Sequence, residues 1–216
     1  MATSASLAAL AHDLRAPLTV IAGTAAALRS SVDAGARAGF DRILQETHRV
    51  SRMLENRVAA SRIADPTSLR REWVPVEELI GDALAPFDGL IAGRIELAVP
   101  PTAMAHVDVR LCQLLLGNLI DNALRYGPGS DMAIRVKCGH AEVVIDIEDT
   151  GPGMPGHVGF GPVELDRGKG LAVANAIALA HGGWFAVIPR EHGGTSVRTC
   201  LPDGEARPSF AVEEDL

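Results

Sequence analysis

The sequence predicts an α+β protein in which an antiparallel helical hairpin precedes a layer of helices on a mixed or antiparallel sheet. Two long segments with helical apolar periodicity come first, and a glycine-containing segment separates them. After Asp65-Pro66 the pattern changes to short strands that alternate with helices, which is typical of two packed layers. We therefore divide the 216 residues into a hairpin at 1–65, a linker at 66–73, a helix-and-sheet domain at 74–204 and an acidic flexible tail at 205–216.

The first helix, at residues 5–30, carries a narrow apolar stripe that implies a partner helix. Successive stripe positions are separated alternately by four and three residues, and they are Leu7, Ala11, Leu14, Leu18, Ile21, Ala25 and Leu28. Such a heptad repeat is the seam along which helices pack in coiled coils. Residues 30–39 contain two glycines and are interpreted as the hairpin loop.

The second helix, at about 37–63, has a broader apolar side formed by Phe40, Ile43, Leu44, Val50, Leu54 and Val58. Two helices with such stripes leave apolar surface exposed when they form a single hairpin. Dimerisation into a four-helix bundle would bury that surface. The alternative is a hairpin that packs onto the rest of the chain.

The remaining elements follow from alternation, length and glycine or proline boundaries. We predict helices at 74–87, 108–127 and 170–183, and strands at 94–100, 132–139, 141–151, 184–190 and 194–202.

Composition excludes several functional classes. Hydrophobic residues make up 47% of the chain, charged residues 22%, and the formal net charge is −7. Binding to nucleic acids or anionic membranes needs a basic face, so both classes are disfavoured. No apolar run reaches the roughly eighteen residues expected of a membrane-spanning helix. Three scattered cysteines predict neither a disulfide framework nor a metal site, which favours a reducing, cytoplasmic location.

The stretch LAHDLRAPLTVI, residues 10–21, places His12 and Asp13 directly after the stripe residue Ala11. His12 therefore flanks the hairpin core and can face solvent, where a neutral imidazole has a free lone pair. Asp13 can take up the ring proton, which gives the pairing of nucleophile and base that phosphoryl acceptance uses. Pro17 removes the backbone hydrogen bond to the Asp13 carbonyl and predicts a bend there. A solvated surface pair is the alternative.

The predicted helix at 108–127 carries polar side chains on one face. Asn118, Asn122 and Tyr126 are four residues apart, so they lie one above the other. An amide oxygen is a neutral hard ligand that suits Mg²⁺. Arg125, near the end of the helix, can reach a phosphate. The alternative is the polar edge of a half-buried helix.

Two glycine turns follow. In IEDTGPGMP, Asp149 ends a strand, where its carboxylate can accept a hydrogen bond from an exocyclic amine such as that of adenine. Gly151 and Gly153 would let the backbone approach a flat ring. In DRGKGLAVANA, the segment Gly168-Lys169-Gly170 precedes a helix whose first amides can hold a phosphate. Each turn by itself is a common structural feature.

In this order and spacing, the four motifs resemble the transmitter core of two-component sensor histidine kinases. The sequence HDLRAP at 12–17 resembles the phosphoacceptor box of that family, and residues 118–126 resemble its N box. Residues 149–153 and 168–171 resemble its first and second glycine boxes. Thr195 lies where a late adenine-contacting threonine is usual.

The resemblance covers about residues 5–202, and REWVPVEELIGDAL at 71–84 is similar to the Kdp-type sensor kinases. It implies a dimerising phosphotransfer hairpin followed by a Bergerat-type α/β sandwich that binds ATP. His12 would be phosphorylated from Mg-ATP with Asp13 as base, and the phosphoryl group would pass to an aspartate of a response-regulator receiver domain.

The resemblance also implies roles for the remaining motif residues. Asp149 would bind the adenine amine, and Asn122 would ligate Mg²⁺. The other nucleotide-binding residues would be Asn118, Arg125, Tyr126, Gly151, Gly153, Gly168, Lys169, Gly170, Leu171 and Thr195. ATPases of the same superfamily carry a glutamate four residues before the metal asparagine, where this chain has Asn118. Because an amide cannot act as a base, this difference favours a kinase over a hydrolase.

Three departures from the family pattern carry expectations of their own. Ala16 stands four residues after the histidine, where a Thr or Asn often positions water, so we expect weak or absent phosphatase activity. The segment between the glycine boxes, 156–167 with Phe160, is shorter than the usual ATP lid and should close less well. Ala172 adds a methyl group where the family has glycine, which would crowd the phosphates.

Two other functions are compatible with these departures. The chain would then be a phosphotransfer or docking module without ATP turnover, or a dimerising inhibitor of a true kinase. We expect a homodimer through the hairpin, whereas an inhibitor would dimerise with the kinase that it inhibits. We expect the chain in the cytoplasm or as the cytoplasmic part of a membrane-anchored sensor.

Overall fold

The computed structural model of the protein describes residues 4–63, 69–91, 93–127, 129, 131–139, 141–153, 159–160, 169–191 and 193–202. It confirms the predicted fold class: a helical hairpin is followed by a domain of helices and sheet. The predicted tail at 205–216 lies outside the described residues, as does most of the predicted linker. The exact domain boundaries stay predictions.

The hairpin consists of α1 (Ser4–Arg29) and α2 (Ala34–Ile63). The two helices run antiparallel, because Arg29 forms an ion pair with Asp41 and Arg15 lies 3.9 Å from Glu55. No helix within the described ranges is long and apolar enough to cross a membrane.

The loop of the hairpin is shorter than the predicted 30–39. A carboxylate oxygen of Asp33 accepts a hydrogen bond from the N–H of Ala36 at 2.8 Å. This side chain satisfies an otherwise unpaired donor of the first turn, so α2 begins at Ala34. The two glycines that suggested a loop, Gly35 and Gly39, lie inside the helix.

The apolar stripe of α1 divides into two sets. Ala11 and Ala25 are buried against the hairpin, whereas Leu14, Ile21 and Leu28 expose 37%, 47% and 46% of their surface. Alternate stripe positions therefore face away from α2. This is the distribution that a four-helix bundle of two hairpins would cover, and the homodimer stays a prediction.

Within the residues that the structure describes, the second domain has four helices and two sheets. The helices are α3 (Val76–Leu84), α4 (Asp88–Ile91), α5 (Val109–Tyr126) and α6 (Lys169–Ala180), with a single 3-10 turn at Ala85–Phe87. The strands are β1 (Glu72–Pro75), β2 (Ile95–Ala98), β3 (Met104–Val107), β4 (Met132–Cys138), β5 (Glu142–Asp149), β6 (Gly159–Phe160), β7 (Trp184–Pro189) and β8 (Thr195–Pro202).

In the described part of the chain, the main sheet has six strands in the order β2-β4-β5-β8-β7-β6. β2 runs parallel to β4, and the other neighbours are antiparallel, so the sheet is mixed, as predicted. β5 and β8 are central neighbours, with Glu148 opposite Ser196. This pairing brings the end of β5 beside the start of β8, although the two ends are far apart in sequence.

A second sheet of two strands, β1 and β3, was not predicted. Both strands have only four residues, too few for a clear alternation. Trp73 stacks on His106 across the pair, with ring centroids 5.2 Å apart. The predicted helix start at residue 74 was therefore wrong: β1 continues to Pro75, and α3 begins at Val76.

The core lies between the helices and one face of the main sheet. Leu115 and Leu119 of α5, Ile177 of α6, and Ile134 and Ile145 of the sheet are each no more than 1% exposed. Burying side chains of this size contributes roughly 1.5–3 kcal/mol each. α5 is consequently fixed at the centre of the domain, with its opposite face left toward α2.

Gly183, between α6 and β7, is a position at which the fold leaves no room for a side chain. An added Cβ would lie 1.8 Å from the Cys200 carbonyl oxygen, a backbone atom of the sheet. We expect Gly183→Ala to lower the free energy of unfolding by about 3 kcal/mol or more, at the upper end of overpacking effects. Denaturant unfolding measures this loss.

The matched control is Gly81→Ala. Gly81 is an exposed helix position with no atom within 4 Å of an added Cβ. Alanine should stabilise it by up to about 1 kcal/mol because of its higher helix propensity. If the two variants unfolded alike, the close approach at Gly183 would be refuted.

Candidate functional site

Asp149 lies at the end of β5 and is held by the start of β8. One of its carboxylate oxygens accepts hydrogen bonds from the backbone N–H groups of Gly151 (2.9 Å) and Thr195 (3.3 Å). Among the described residues, its other oxygen has no hydrogen-bond partner. Burial raises the pKa of Asp149, whereas the two N–H donors and the nearby Arg190 lower it. The site therefore presents a fixed carboxylate oxygen that can accept a hydrogen bond from a ligand.

Glycines allow the chain to pack tightly around this carboxylate. A Cβ on Gly194 would lie 1.9 Å from the backbone oxygen of Asp149, and Gly194 itself has φ +90°. A Cβ on Gly151 would lie 2.8 Å from the Cα of Gly127, directly after α5. Gly153 has φ +80° and approaches Gly194. The predicted residues Asp149, Gly151, Gly153 and Thr195 thus form one cluster.

Thr195 joins this cluster in a manner that its side chain did not suggest. Its backbone N–H, rather than its hydroxyl, binds Asp149. Thr195 is buried at the first position of β8. It therefore positions the carboxylate within the protein, and contact of its hydroxyl with adenine stays a prediction.

A cavity of about 670 Å³ lies between α2, α5 and α6. The predicted residues that line it are Asn118, Asn122, Arg125, Tyr126, Gly170 and Leu171. Asn122 is half-buried. Its amide oxygen is a suitable ligand for Mg²⁺, which also binds phosphate oxygens and water. The set fits a magnesium phosphate at this place, with Arg125 exposed at the end of α5.

Asn118 is buried and hydrogen-bonded through both its amide nitrogen and its amide oxygen. Its side-chain amide exchanges two hydrogen bonds with that of Asn56 on α2, at 2.8 and 3.2 Å. Gly170, in the first turn of α6, passes so close that a Cβ there would lie 3.2 Å from the Asn118 amide oxygen. Asn118 therefore connects three helices, and in this arrangement its amide is occupied by the hairpin.

A second contact joins α2 to α5 one turn away. Arg52 lies 2.6 Å from a carboxylate oxygen of Asp121, and its guanidinium lies 4.8 Å from the centre of the Phe87 ring. Together with the Asn56 pair, this contact docks the helix-and-sheet domain on α2.

His12 lies on the exposed surface of α1 and does not line the cavity. α1 continues as one helix through Pro17, and the bend expected there stays a prediction. No hydrogen bond joins His12 to Asp13 in the part of the chain that is described. Because Arg15 lies opposite Glu55, position 56 lies opposite position 14, two residues from His12. The part of α2 that lines the cavity therefore lies at about the same height along the hairpin as His12.

Some predicted positions lie outside the described residues. These are Gly168 and, apart from residues 159–160, the predicted lid at 156–167. Lys169 begins α6, but its side chain is not described. Ala172 is exposed and lines the cavity, and crowding of the phosphates by its methyl group stays a prediction.

Sequence reasoning missed several residues of the site, among them Arg52, Asn56, Asp121 and Arg190, and the cavity-lining Arg49 and Arg57. Arg52 and Asn56 are four apart on α2 and beside its apolar side, a spacing that puts them on one face. A pair of polar residues on a long helix is usually solvated, so the signal was present but not distinctive. The doublet Gly193-Gly194 before Thr195 was the sequence signal for the close turn.

Two family models match the chain. Residues 3–66 match the His Kinase A (phospho-acceptor) domain, and residues 107–205 match the histidine kinase-, DNA gyrase B- and HSP90-like ATPase. The first match contains His12, and the second contains the Asp149 cluster and the cavity residues of α5 and α6.

Curated relatives match nearly the whole chain. This chain is 32% identical to the sensor protein KdpD of Escherichia coli K12, over 99% of this chain and 26% of the relative. It is 28% identical to the signal transduction histidine-protein kinase AfsQ2 of Streptomyces coelicolor, over 97% of this chain and 43% of the relative. The chain therefore spans less than half the length of either protein.

Solved structures share the fold. The histidine kinase AdeS of Acinetobacter baumannii aligns with TM-score 0.59 and 21% identity, over 89% of this chain and 98% of that one. The catalytic domain of histidine kinase ThkA aligns with TM-score 0.53 and 21% identity, over 62% of this chain and 97% of that one.

Proposed function

Because the chain belongs to the two-component sensor histidine kinases, of which it contains the transmitter core, we propose that it phosphorylates itself on His12 from Mg-ATP. The phosphoryl group then passes to an aspartate of a response-regulator receiver domain. The Kdp-type resemblance seen in the sequence is confirmed by the KdpD relatives. One observation carries the proposal: α2 contacts α5 beside the cavity, through Asn56 and Asn118, at about the height of His12 along the hairpin.

The nucleotide would occupy the two clusters of the second domain. The adenine amine donates a hydrogen bond to the free oxygen of Asp149, and the phosphates extend toward Asn122 and Arg125. The first turn of α6, at Gly170, adds backbone N–H groups, whose partial positive charge favours an anion. A bound Mg²⁺ would neutralise phosphate charge beside the amide of Asn122.

His12 supplies the nucleophile. A ring nitrogen forms a bond to the γ-phosphorus while the bond from that phosphorus to the bridging oxygen breaks, and ADP leaves. Asp13 takes up the ring proton after its side chain reorients from the exposed position that it has on α1. Pro17, which leaves the Asp13 carbonyl without its helical hydrogen bond, lowers the cost of a local change in α1.

The remaining parts of the proposal concern assembly and location. The exposed residues of the α1 stripe are the surface through which two copies would form a four-helix bundle. The receiver domain would dock near His12 on this bundle. The chain would act in the cytoplasm, either by itself or as the cytoplasmic part of a membrane-anchored sensor.

Incubation of the purified chain with γ-labelled ATP and Mg²⁺ tests the proposal. We expect a label that acid removes and base does not, as is characteristic of phosphohistidine. A chain that binds ATP without becoming labelled, but accepts label from a phosphorylated regulator, would be a phosphotransfer module. A folded chain that neither binds nucleotide nor accepts label would contradict both functions.

Ala16 predicts a bias toward kinase activity. It is exposed on α1, one turn after His12, and its methyl group cannot hold a water molecule for attack on a phosphorylated regulator. We expect the chain to change the dephosphorylation rate of its regulator by no more than about two-fold. This change is much smaller than the rate acceleration that a positioned general base provides. Release of phosphate from the phosphorylated regulator, with and without the chain, measures this. A rate raised ten-fold or more would contradict the expectation.

A further inference from the structure

The cavity between α2, α5 and α6 has an excess of positive charge, to which the hairpin contributes most. Its charged lining residues are Arg49, Arg52, Arg57, Arg125 and Asp121. Three of the four arginines belong to α2, which is not part of the domain that matches the ATPase family. Arg49 also pairs with Glu46 at 3.2 Å, outside the cavity lining, and four lining arginines against one aspartate still make the cavity complementary to a polyanion.

Arg52 is the most deeply placed of these cations. It is 8% exposed, and its Nε and Nη2 groups are both buried without a hydrogen bond of good geometry among the described residues, although Nη2 lies within ion-pair distance of Asp121. Its charged neighbour at short distance is Asp121, which is itself partly exposed. Burial lowers the pKa of Arg52. The negative charges of Asp121 and Glu55 oppose this shift, and the positive charge of Arg125 adds to it. The cation thus has hydrogen-bonding capacity that the protein leaves unused.

Arg52 lies near the residues that are expected to bind the phosphates. Its partner Asp121 directly precedes Asn122, and the Asn56–Asn118 pair fixes α2 against the same face of α5. A buried guanidinium with a free donor is costly by itself, and it becomes favourable when an anion accepts from it.

We propose that Arg52 is a phosphate-binding residue of the nucleotide site, contributed by the phosphotransfer hairpin. The inference rests on the proposed function and deepens it. Arg52 donates to oxygens of the polyphosphate, whereas its pair with Asp121 orients the guanidinium. The phosphates consequently connect the ATP-binding domain to the hairpin at the level of His12, and the hairpin helps to select a nucleotide with a long phosphate tail.

The alternative is that Arg52 only ties α2 to α5 through Asp121. Two variants separate the two roles. Arg52→Gln removes the cation and the ion pair, and Asp121→Asn removes the ion pair but keeps the cation. A phosphate-binding role predicts that they differ, and a purely structural role predicts that they behave alike.

The test is calorimetric titration of the full chain with a non-hydrolysable ATP analogue plus Mg²⁺, and with adenosine. We expect Arg52→Gln to weaken binding of the analogue about ten- to a hundred-fold, the effect of one charged hydrogen-bond partner. Binding of adenosine should not change, and Asp121→Asn should bind the analogue at least as tightly as the unmutated chain. Arg52→Lys keeps the charge but lacks the planar guanidinium with its paired N–H donors, so its affinity for the analogue should fall several-fold. This variant replaces Arg52→Gln in the test if Arg52→Gln does not fold.

Three results would overturn the inference. The first is unchanged affinity for the analogue in both Arg52 variants, with the unmutated chain binding normally, which leaves the proposed function standing. The second is equal weakening in Arg52→Gln and Asp121→Asn. The third is an unmutated chain that binds neither ligand, which refutes the proposed nucleotide site itself and with it the role of Arg52.

Discussion

His12→Gln is expected to reduce labelling from γ-labelled ATP to background, a loss of about a thousand-fold or more, because the variant lacks the nucleophile. Glutamine keeps polarity and helix propensity, and His12 is exposed on α1, so the hairpin should fold as before. The measurement is the acid-labile label per chain after a fixed time with Mg-ATP.

Nucleotide affinity provides the control for this variant. His12 does not line the cavity between α2, α5 and α6, so the Kd for a non-hydrolysable ATP analogue should be unchanged. Label retained in His12→Gln would assign the phosphoacceptor to another residue. A lost label together with lost nucleotide affinity would mean that the substitution disturbs the domain docking instead of the chemistry.

Asp149→Asn is expected to weaken ATP binding about 100-fold and to reduce labelling accordingly. Asparagine has the same size, and its amide oxygen can still accept from the N–H groups of Gly151 and Thr195. The amide nitrogen would then replace the free carboxylate oxygen and face the donor amine of adenine. The loss of one charged hydrogen bond and the meeting of two donors account for about 3 kcal/mol. Titration with a fluorescent ATP analogue measures the change.

Asp146→Asn is the matched control on the same strand. Asp146 is buried, but it binds Ser196 and Arg198 of β8, the latter at 2.7 Å. Its position three residues from Asp149 directs it to the opposite face of the sheet. We expect Asp146→Asn to lower stability and to leave nucleotide affinity unchanged. Equal loss of affinity in both variants would refute a specific role for Asp149.

Much of the fold was predictable because strong local patterns specify it. α5 and α6 were predicted within one or two residues at their starts and within a few at their ends, since long apolar periodicity and flanking glycines mark them. β4, β5 and β8 were predicted from alternation. The start of α2 and the β1–β3 pair were not, because they depend on the Asp33 cap and on pairing between four-residue strands distant in sequence.

The candidate site divides in the same way. Asp149, Gly151 and Asn122 stand in motifs that can be recognised as short stretches of sequence. The contact of Asp149 with Thr195 spans 46 residues and forms only because β5 and β8 are neighbours in the sheet. The contact of Asn56 with Asn118 spans 62 residues and depends on how α2 docks on α5. No local pattern on α2 distinguishes that pair from two solvated side chains.

Mapping the phosphorylated residue tests the central claim most directly. The chain is incubated with Mg-ATP, digested near neutral pH to preserve phosphohistidine, and analysed by mass spectrometry for the peptide that carries the phosphoryl group. We predict a single modified peptide with the group on His12, strongly reduced in amount in Asp149→Asn. A phosphoryl group on any other residue, or none in a chain that binds ATP, would contradict the claim that the α5 cavity supplies its phosphoryl group to His12.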